Sequence, residues 1–314
     1  MALPVLFLMG PTAGGKTALA VSLVRRLPLE IISVDSGMVY RGLDIGTAKP
    51  GAEILAAAPH RLVDICEPTE AYSAGRFRRD ALREIGLVHG RGRIPLLVGG
   101  TGLYFRALAQ GLSGVPPADA KIRAELERQA QERGWPELHR ELTGIDPQAA
   151  ARIHPNDPQR IQRAMEVYRL TGKPLSSLLR GGRRGVLPWN VCKLIIAHAD
   201  RAMSHERVRR RFHAMLDAGF MQEMRALYGR GDLRPELPSM RLVGYRQGWQ
   251  HLAGQIAYDE MVERAIAATR QLLRRQLTWL RAEPGAVRLD AGDPALEDKV
   301  LKFLEQNPIF KVSM

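Results

Sequence analysis

The chain has 314 residues, of which 45% are hydrophobic, and this is enough for one large α/β core with an added subdomain. It holds no apolar stretch near the ~20 residues that a membrane helix needs, and its two cysteines, Cys66 and Cys192, fit neither a C-x-x-C zinc motif nor a disulfide framework, which indicates a reducing, cytoplasmic compartment. The net charge of +13 suits a polyanionic partner, although a soluble arginine-rich protein can carry such a charge without binding one.

The N-terminal segment predicts a strand, a loop and a helix in immediate succession. Residues 3–9 form a short apolar run that is typical of a buried strand, and no basic region precedes it as in a signal peptide. Residues 17–26 have apolar side chains three and four positions apart, which predicts a helix. The loop between them reads GPTAGGKT and fits the phosphate-binding pattern G-x-x-x-x-G-K-[ST].

This loop is predicted to cradle a di- or triphosphate with Gly10, Pro11, Thr12, Ala13, Gly14, Gly15, Lys16 and Thr17. Its backbone N–H groups and the helix N-terminus would converge on one anion. Lys16 would neutralise the outer phosphate oxygens, and the Thr17 hydroxyl would ligate Mg²⁺. A chance glycine-rich turn is the alternative, which the order of strand, loop and helix disfavours. The pattern does not say which bond is broken.

Strands and helices then alternate, which indicates a parallel sheet with crossover helices. The predicted elements are strands over residues 29–34, 60–65 and 94–98, with helices over residues 74–86 and from about residue 103. Asp35 and Thr101 each follow a strand, where ligands bind in doubly wound sheets. Asp35 is therefore a candidate base or metal ligand and Thr101 a candidate hydrogen-bonding group. Ordinary turns at Asp35-Ser36-Gly37 and at Gly99-Gly100-Thr101-Gly102 are the alternative interpretation.

Strand-like runs disappear between about residues 113 and 185, where helices are predicted over residues 122–132 and 158–170. The basic, glycine-rich residues 180–185 (RGGRRG) end this segment. We therefore predict an α/β, P-loop NTPase-like parallel sheet core, formed by residues 1–112 and 188–314, with a helical insertion domain over residues 113–187.

The predicted insertion domain carries arginines on its helices. Arg160 and Arg163 lie three positions apart on one helical face, and Arg123 lies on the earlier helix. Arginine binds phosphates, and arginine and glutamine both read base edges. A solvated helix face is the alternative.

The core resumes with a strand over residues 190–197 and ends with a long helix over residues 258–281. Between them, a helix over residues 204–219, with Ser204 as its N-cap, has an apolar stripe formed by Val208, Phe212, Met215 and Leu216. Arg211 borders the stripe and Arg210 points away from it. We therefore expect Arg211 to reach inward.

Two absences narrow the chemistry. The strand over residues 94–98 ends in Gly-Gly-Thr, without the Asp that holds the metal in many kinases and ATPases of this loop type, and this disfavours ordinary nucleotide hydrolysis. His60, His154 and His205 lack metal-ligand spacing, so we interpret them as surface or core histidines.

Six stretches together resemble the tRNA dimethylallyltransferase family, also called tRNA isopentenyltransferases, over nearly the whole chain. They are GPTAGGKT (10–17), DSGMVYRGLDIGTAKP (35–50), PHRLVDI (59–65), GGTGLY (99–104), QRIQRA (159–164) and RLVGYRQ (241–247). The resemblance implies transfer of a dimethylallyl group from dimethylallyl diphosphate to the exocyclic amine of an adenosine, with release of diphosphate. That adenosine would lie 3′-adjacent to the anticodon in tRNAs that read codons starting with U. The loop would then hold the donor's diphosphate. Its sequence pattern alone would instead suggest ATP.

The resemblance also implies roles for single residues. Asp35 would be the base toward the amine and Thr101 would position it, while Lys16, Arg211, the loop amides and Mg²⁺ at Thr17 would stabilise the departing diphosphate. The target base would leave its stack and enter a channel, with the helical insert gripping the anticodon stem-loop. The implied tRNA-binding residues are Asp35, Ser36, Gly37, Met38, Thr101, Arg123, Gln159, Arg160, Ile161, Gln162, Arg163, Arg241, Gly244, Tyr245 and Arg246.

Two positions depart from the family pattern. Met38 stands where many members have glutamine, and Arg61 where many have a second histidine. The alternatives are a nucleoside or small-molecule kinase, a prenyltransferase acting on free adenine nucleotides, and an RNA-binding module with a vestigial loop. We expect a monomer with no obligate protein partner and no membrane association.

Overall fold

The computed structural model describes residues 3–180, 183–184, 187–307 and 310. The chain divides into two compact units, Met1–Phe105 with Pro188–Met314 and Arg106–Leu187. The second unit thus begins at Arg106, seven residues before the boundary predicted from the sequence. Of the predicted glycine-rich exit, residues 181, 182 and 185 lie outside the described residues.

The described strands are β1 (Pro4–Met9), β2 (Leu29–Val34), β3 (His60–Arg61), β4 (Ile94–Gly99), β5 (Leu112–Ser113), β6 (Arg183–Arg184), β7 (Asn190–Ala197) and β8 (Val287–Asp290). The described helices are α1 (Lys16–Arg26), α2 (Ala52–Ala57), α3 (Ala74–His89), α4 (Gly102–Gln110), α5 (Ala120–Arg133), α6 (Trp135–Ile145), α7 (Pro147–Ala150), α8 (Pro158–Thr171), α9 (Leu175–Arg180), α10 (Arg201–Asp217), α11 (Phe220–Tyr228), α12 (Tyr245–Leu252), α13 (Tyr258–Arg281) and α14 (Leu296–Gln306). No helix among these described segments combines the length and the apolar character that crossing a bilayer requires.

The first unit is built on a parallel sheet with the strand order β3-β2-β4-β1-β7-β8. All six residues of β1 are buried, because this strand lies between β4 and β7 in the middle of the sheet. Helices α1 and α3 pack on the sheet, as crossover connections between parallel strands require. The predicted α/β class is confirmed. Because these strands are parallel, the loops after β1, β2, β4 and β7 all follow the carboxyl ends of their strands, on one side of the sheet.

The strongest sequence patterns agree with the observed elements. The predicted strand over residues 190–197 and the long helix over residues 258–281 match β7 and α13. The prediction at Ser204 was wrong. Helix α10 begins at Arg201 with Asp200 as its N-cap, and the Ser204 hydroxyl donates to Asp200 O (3.1 Å) from inside the helix. A carboxylate one turn earlier accepts the N–H of Ala202 (2.7 Å) and therefore takes the capping position.

The second unit is mainly helical and has its own core. Helices α5, α6 and α8 contact one another around buried residues that include Leu126, Leu138, Leu142, Ile161 and Met165. The prediction that strands are absent here missed β5 and β6, whose backbones pair antiparallel at Leu112↔Arg184 and Ser113↔Arg183. Two-residue strands leave no alternation of apolar and polar residues, so a sequence pattern cannot reveal them.

Candidate active site

The predicted phosphate loop joins β1 to α1 and has the backbone of a compact cradle. Ala13 (φ 59°) and Gly15 (φ 78°) both adopt left-handed conformations, which turn the chain sharply before the helix. A Cβ at Gly10 would lie 2.3 Å from Ile196 O, so only glycine lets the loop leave the sheet here. No side chain in the described part of the chain caps α1, so the N–H groups of its first turn remain available to an anion.

A cavity of about 420 Å³ opens between this loop and α10. Among the described residues, its lining includes four cationic side chains, Lys16, Arg207, Arg210 and Arg211, and no carboxylate. The Lys16 ammonium donates to Pro11 O (2.7 Å), and Arg207 Nε donates to Ala13 O (3.1 Å), so both side chains are held against the loop. Within residues 3–180, 183–184, 187–307 and 310, none of the four forms a salt bridge. The cavity therefore concentrates positive charge that no described residue neutralises.

The electrostatics of this cavity link Asp35 to the cradle. Burial, reinforced by the nearby Arg211, lowers the pKa of Lys16 to about 8, while the charge of Asp35 opposes this shift. Burial also lowers the pKa of Arg211, again against the influence of Asp35. Arg211 therefore reaches inward, as the helix pattern predicted. An anion placed among these groups would restore the charged form of Lys16.

Asp35 and Thr101 lie on neighbouring loops. Strands β2 and β4 pair at Val34↔Gly99, and a Cβ at Gly99 would lie 2.0 Å from Val34 O, so glycine permits this close approach. The Thr101 hydroxyl oxygen accepts the N–H of Ser36 (3.2 Å). The structure thus brings together the two candidates that follow separate strands.

One carboxylate oxygen of Asp35 organises its own turn. Asp35 Oδ1 accepts the N–H groups of Gly37 (2.7 Å) and Met38 (3.3 Å), so the turn interpretation is correct for this oxygen. In the part of the chain that the structure describes, Oδ2 has no hydrogen-bond partner. The carboxylate is therefore held in place through Oδ1 while Oδ2 stays available to a substrate proton.

Among the residues near 241–246, Arg241 and Arg246 are exposed, whereas Tyr245 is fully buried. The Tyr245 hydroxyl donates to Glu223 Oε1 (2.6 Å), so its side chain packs inside the unit. Gly244 is the N-cap of α12 with a φ of 91°. Glu223 itself was not singled out from the sequence, although its carboxylate also accepts three backbone N–H groups, at Asp44, Ile45 and Gly46.

The candidates in the helical unit differ in accessibility. Gln159 and Arg160 are exposed, and Arg160 pairs with Asp157 (3.3 Å). Ile161 is fully buried in the core of the unit, so its side chain packs there. Gln162 donates to the carbonyl of Arg123 (3.3 Å) and to Glu127 (3.2 Å).

Arg123 and Arg163 are engaged inside the helical unit. Arg123 pairs with the fully buried Glu166 (2.8 Å), and Arg163 pairs with the same carboxylate and donates to Pro116 O. The predicted shared face of Arg160 and Arg163 therefore consists of an exposed arginine paired with Asp157 and a half-buried arginine paired with Glu166.

The two departures from the family pattern have distinct local settings. The Arg61 guanidinium pairs with Glu30 and Glu84, at 2.8 Å each, on the partly buried edge of the sheet, so its charge is compensated. The half-buried Met38 lies beside Ser33, whose hydroxyl contacts its sulfur at 3.9 Å.

Sequence reasoning also missed Gln276, in the middle of α13. Its side-chain oxygen accepts the N–H of Thr12 (2.8 Å), and its side-chain nitrogen donates to Gly100 O (3.1 Å). A single glutamine in a helix rich in polar residues gives no signal that could have identified it.

Comparisons with known proteins agree with one another. The family model described as IPP transferase matches residues 38–283. A tRNA dimethylallyltransferase of Thioalkalivibrio sulfidiphilus is 57% identical over 297 residues, covering 94% of this chain and 93% of the relative. The full-length tRNA isopentenylpyrophosphate transferase of Bacillus halodurans is 36% identical with a TM-score of 0.69, covering 96% of this chain and 94% of that chain. A eukaryotic dimethylallyltransferase, solved in snapshots of its action on tRNA, is 25% identical with a TM-score of 0.80, covering 98% of this chain and 81% of that one.

Proposed function

The chain belongs to the IPP transferase family, and on that premise we propose that it transfers a dimethylallyl group from dimethylallyl diphosphate to the exocyclic amine of a tRNA adenosine. The observation that carries this proposal is the hydrogen bonding that joins the cradle to the loops of Thr101 and Asp35, since Gly10 N–H donates to Gly99 O (3.3 Å) and Ser36 N–H donates to the Thr101 hydroxyl (3.2 Å). The charge of Asp35 also acts on Lys16 and Arg211 in the cradle. A base and a diphosphate site that influence each other at one edge of a sheet suit a reaction in which a diphosphate leaves as an amine attacks.

On the donor side, the carbon–oxygen bond of the donor breaks and negative charge grows on the departing diphosphate. The α1 amides, Lys16 and Arg211 would bind and stabilise that charge, and their fixed positions mean that little reorganisation is needed. Arg207 holds the loop by its contact with Ala13 O. The described residues that line the cavity include no carboxylate, and this supports a diphosphate ligand.

On the acceptor side, the adenine amine forms the new nitrogen–carbon bond and gives up a proton. This amine is a weak nucleophile because its lone pair is delocalised into the ring. Asp35 Oδ2 would take the proton while Oδ1 keeps the turn in place, and Thr101 would orient the amine. The base must first leave its stack in the RNA to reach these groups.

Mg²⁺ suits the cradle because Thr17, whose hydroxyl can ligate the ion, lines the cavity. The described residues contain no cluster of three or more His, Cys, Asp or Glu that could hold a metal ion by themselves. A single hydroxyl, diphosphate oxygens and water together form the coordination that Mg²⁺ prefers, and the ion would supply further neutralisation of the diphosphate.

For the RNA, we propose the adenosine 3′-adjacent to the anticodon in tRNAs that read codons starting with U. The exposed Arg160, Gln159, Arg241 and Arg246 remain candidates for RNA contacts, and the helical unit is proposed to grip the anticodon stem-loop. The net charge of +13 supports a polyanionic acceptor. The two buried, free cysteines support a cytoplasmic location, where thiols stay reduced.

The test is incubation with dimethylallyl diphosphate and unmodified tRNA, without ATP, followed by mass analysis of the nucleosides. We expect a dimethylallyl mass gain on the adenosine next to the anticodon, and none on a tRNA that reads codons starting with another base. AMP as the acceptor serves as the control for a small-molecule prenyltransferase. Saturable ATP turnover without modified tRNA would indicate a kinase and contradict the proposal.

A further inference from the structure

We propose that Gln276 is a positioning residue that fixes the distance between the phosphate cradle and the loop that carries Thr101. It lies on α13, outside both loops, and touches neither reacting group. Its side-chain amide forms one hydrogen bond to each loop, at Thr12 N–H (2.8 Å) and Gly100 O (3.1 Å). This inference rests on the proposed function, because that function assigns the donor to one loop and the acceptor to the other.

The geometry leaves no choice in the orientation of this amide. One partner is a backbone N–H and the other a backbone carbonyl, so the side-chain oxygen must face Thr12 and the nitrogen must face Gly100. Gln276 is only 9% exposed, so water does not readily replace either contact. A Cβ at Gly100 would lie 2.5 Å from Gln276 Nε2 and 3.0 Å from Gly10 O, so the amide packs closely against a loop position that carries no side chain.

The two contacts continue directly into the reacting groups. Thr12 belongs to the cradle, four residues before Lys16. Gly100 precedes Thr101, whose hydroxyl oxygen in turn accepts the N–H of Ser36, the residue after Asp35. Gln276 therefore lies in a series of hydrogen bonds and peptide bonds that begins at the cradle and ends at Ser36, the residue after Asp35.

Such a series matters because group transfer is sensitive to distance. A displacement of about 1 Å between reacting atoms costs on the order of 10²-fold in rate. A neutral amide sets this distance without adding charge beside Lys16 and Asp35. The backbone pairing of the two loops at Gly10 N and Gly99 O (3.3 Å) lies at the sheet edge and does not involve Gln276. Loss of the amide should therefore loosen the loops and leave the sheet intact.

The first test compares Gln276→Met with Gln271→Met, which replaces an exposed glutamine on the same helix. For Gln276→Met we expect kcat to fall on the order of 10²-fold while KM for dimethylallyl diphosphate changes less than about threefold. Gln271→Met should retain kcat within about twofold. A Gln276→Met kcat within about threefold of the unmodified protein would overturn the inference, as would a fall in donor affinity that accounts for the whole loss.

The second test uses Gln276→Glu, which keeps the side-chain shape. The protonated acid can accept from Thr12 and donate to Gly100 as the amide does, whereas the carboxylate can only accept and faces a carbonyl oxygen. We expect the ratio of its kcat to that of the unmodified protein to rise as the pH falls from about 9 to about 6. Both proteins are measured at each pH, and Gln276→Met, which adds no ionisable group, is the reference for pH effects that arise elsewhere in the site.

A ratio independent of pH would overturn the inference, even if Gln276→Met does not fold. The outcome is also separable from the proposed function. If the unmodified protein does not prenylate tRNA, the proposed function fails. If it does, and both Gln276 variants behave like the unmodified protein, only the positioning role fails.

Discussion

The cationic side chains of the cradle and those of the helical unit are in opposite electrostatic situations. Around the cradle, Lys16 and Arg211 form no ion pair with any described residue, and burial lowers the pKa of each. In the helical unit, Arg123 and Arg163 share the buried Glu166. Exposed pairs such as Arg128 with Glu125 and Glu132 surround them. The first set is left to be neutralised by a ligand, while the second is neutralised by the protein itself.

This difference separates a binding charge from a structural one. Unpaired and partly desolvated cations destabilise the free protein locally and gain most when an anion arrives. Paired cations have little further to gain, and their removal acts on the helix packing. Sequence counts treat all of these arginines alike, so the net charge of +13 overstates the number available to a ligand.

The largest expected effect is at the cradle. Lys16→Ala should lower kcat on the order of 10³-fold, at least as much as Asp35→Ala, because charge stabilisation of the leaving group commonly contributes more than one general base. Single-turnover rates at saturating tRNA measure both. Near-normal rates for Lys16→Ala would mean that the cradle does not stabilise the leaving group, which contradicts its proposed catalytic role.

Next in size is the pair Arg211→Ala and Arg209→Ala, two arginines of α10. Arg211 lines the cavity and interacts electrostatically with Asp35, whereas Arg209 is exposed and is not among the lining residues. We expect a loss of about 10²-fold in kcat/KM for the donor with Arg211→Ala and less than about threefold with Arg209→Ala. Equal losses would mean that the overall positive charge of α10 matters more than the location of Arg211 in the cavity.

In the helical unit, Glu166→Gln should act on stability. It removes the shared partner of Arg123 and Arg163, and we expect the unfolding free energy to fall by about 2 kcal/mol with KM for the donor unchanged. Urea unfolding measures this loss of stability. Native-state hydrogen exchange in α5 and α8 shows whether it is localised to these helices. Glu132→Gln, which loses one exposed pair, is the control and should change less than about 0.5 kcal/mol.

The same carboxylate gives the pH dependence of this stability. Burial opposes ionisation of Glu166, but hydrogen bonds from Arg123, Arg163 and the Asp119 N–H outweigh it and lower its pKa. Its stabilising contribution is therefore present above the unfolded pKa of about 4.3 and is lost as the pH falls through the lower folded value. Glu166→Gln should abolish this part of the acid dependence. An unchanged acid profile would contradict the assignment.

The smallest effect concerns the protonation of Lys16. Its pKa of about 8 in the free protein should rise when diphosphate binds beside it. Below about pH 7 the proton is already present, whereas above pH 8 binding must recover it, so affinity should fall by up to about tenfold per pH unit. Calorimetry in buffers of different ionisation enthalpy should show proton uptake approaching one above pH 8. The same uptake by Lys16→Met would assign the proton to the diphosphate instead.

The sequence by itself determined the elements whose signals are local. The cradle was predicted because loop, strand and helix are one continuous segment, and Arg211 was correctly directed inward because helical periodicity fixes its angle to Val208 and Phe212. The same local reasoning went wrong at Ser204, where a competing carboxylate at Asp200 lies one turn earlier. It also could not tell that Ile161 and Tyr245 are buried, since both stand in motifs otherwise rich in polar residues.

Tertiary structure alone decided which of these parts meet. Asp35 and Thr101 are brought together by the pairing of β2 with β4, across 65 residues between Ser36 and Thr101. Gln276 reaches Thr12 across 264 residues, and Glu166 is committed to two arginines only because helix packing excludes it from water. A side chain's partners depend on distances that chain folding sets, so the sequence shows which groups are present and the fold selects which of them act on one another.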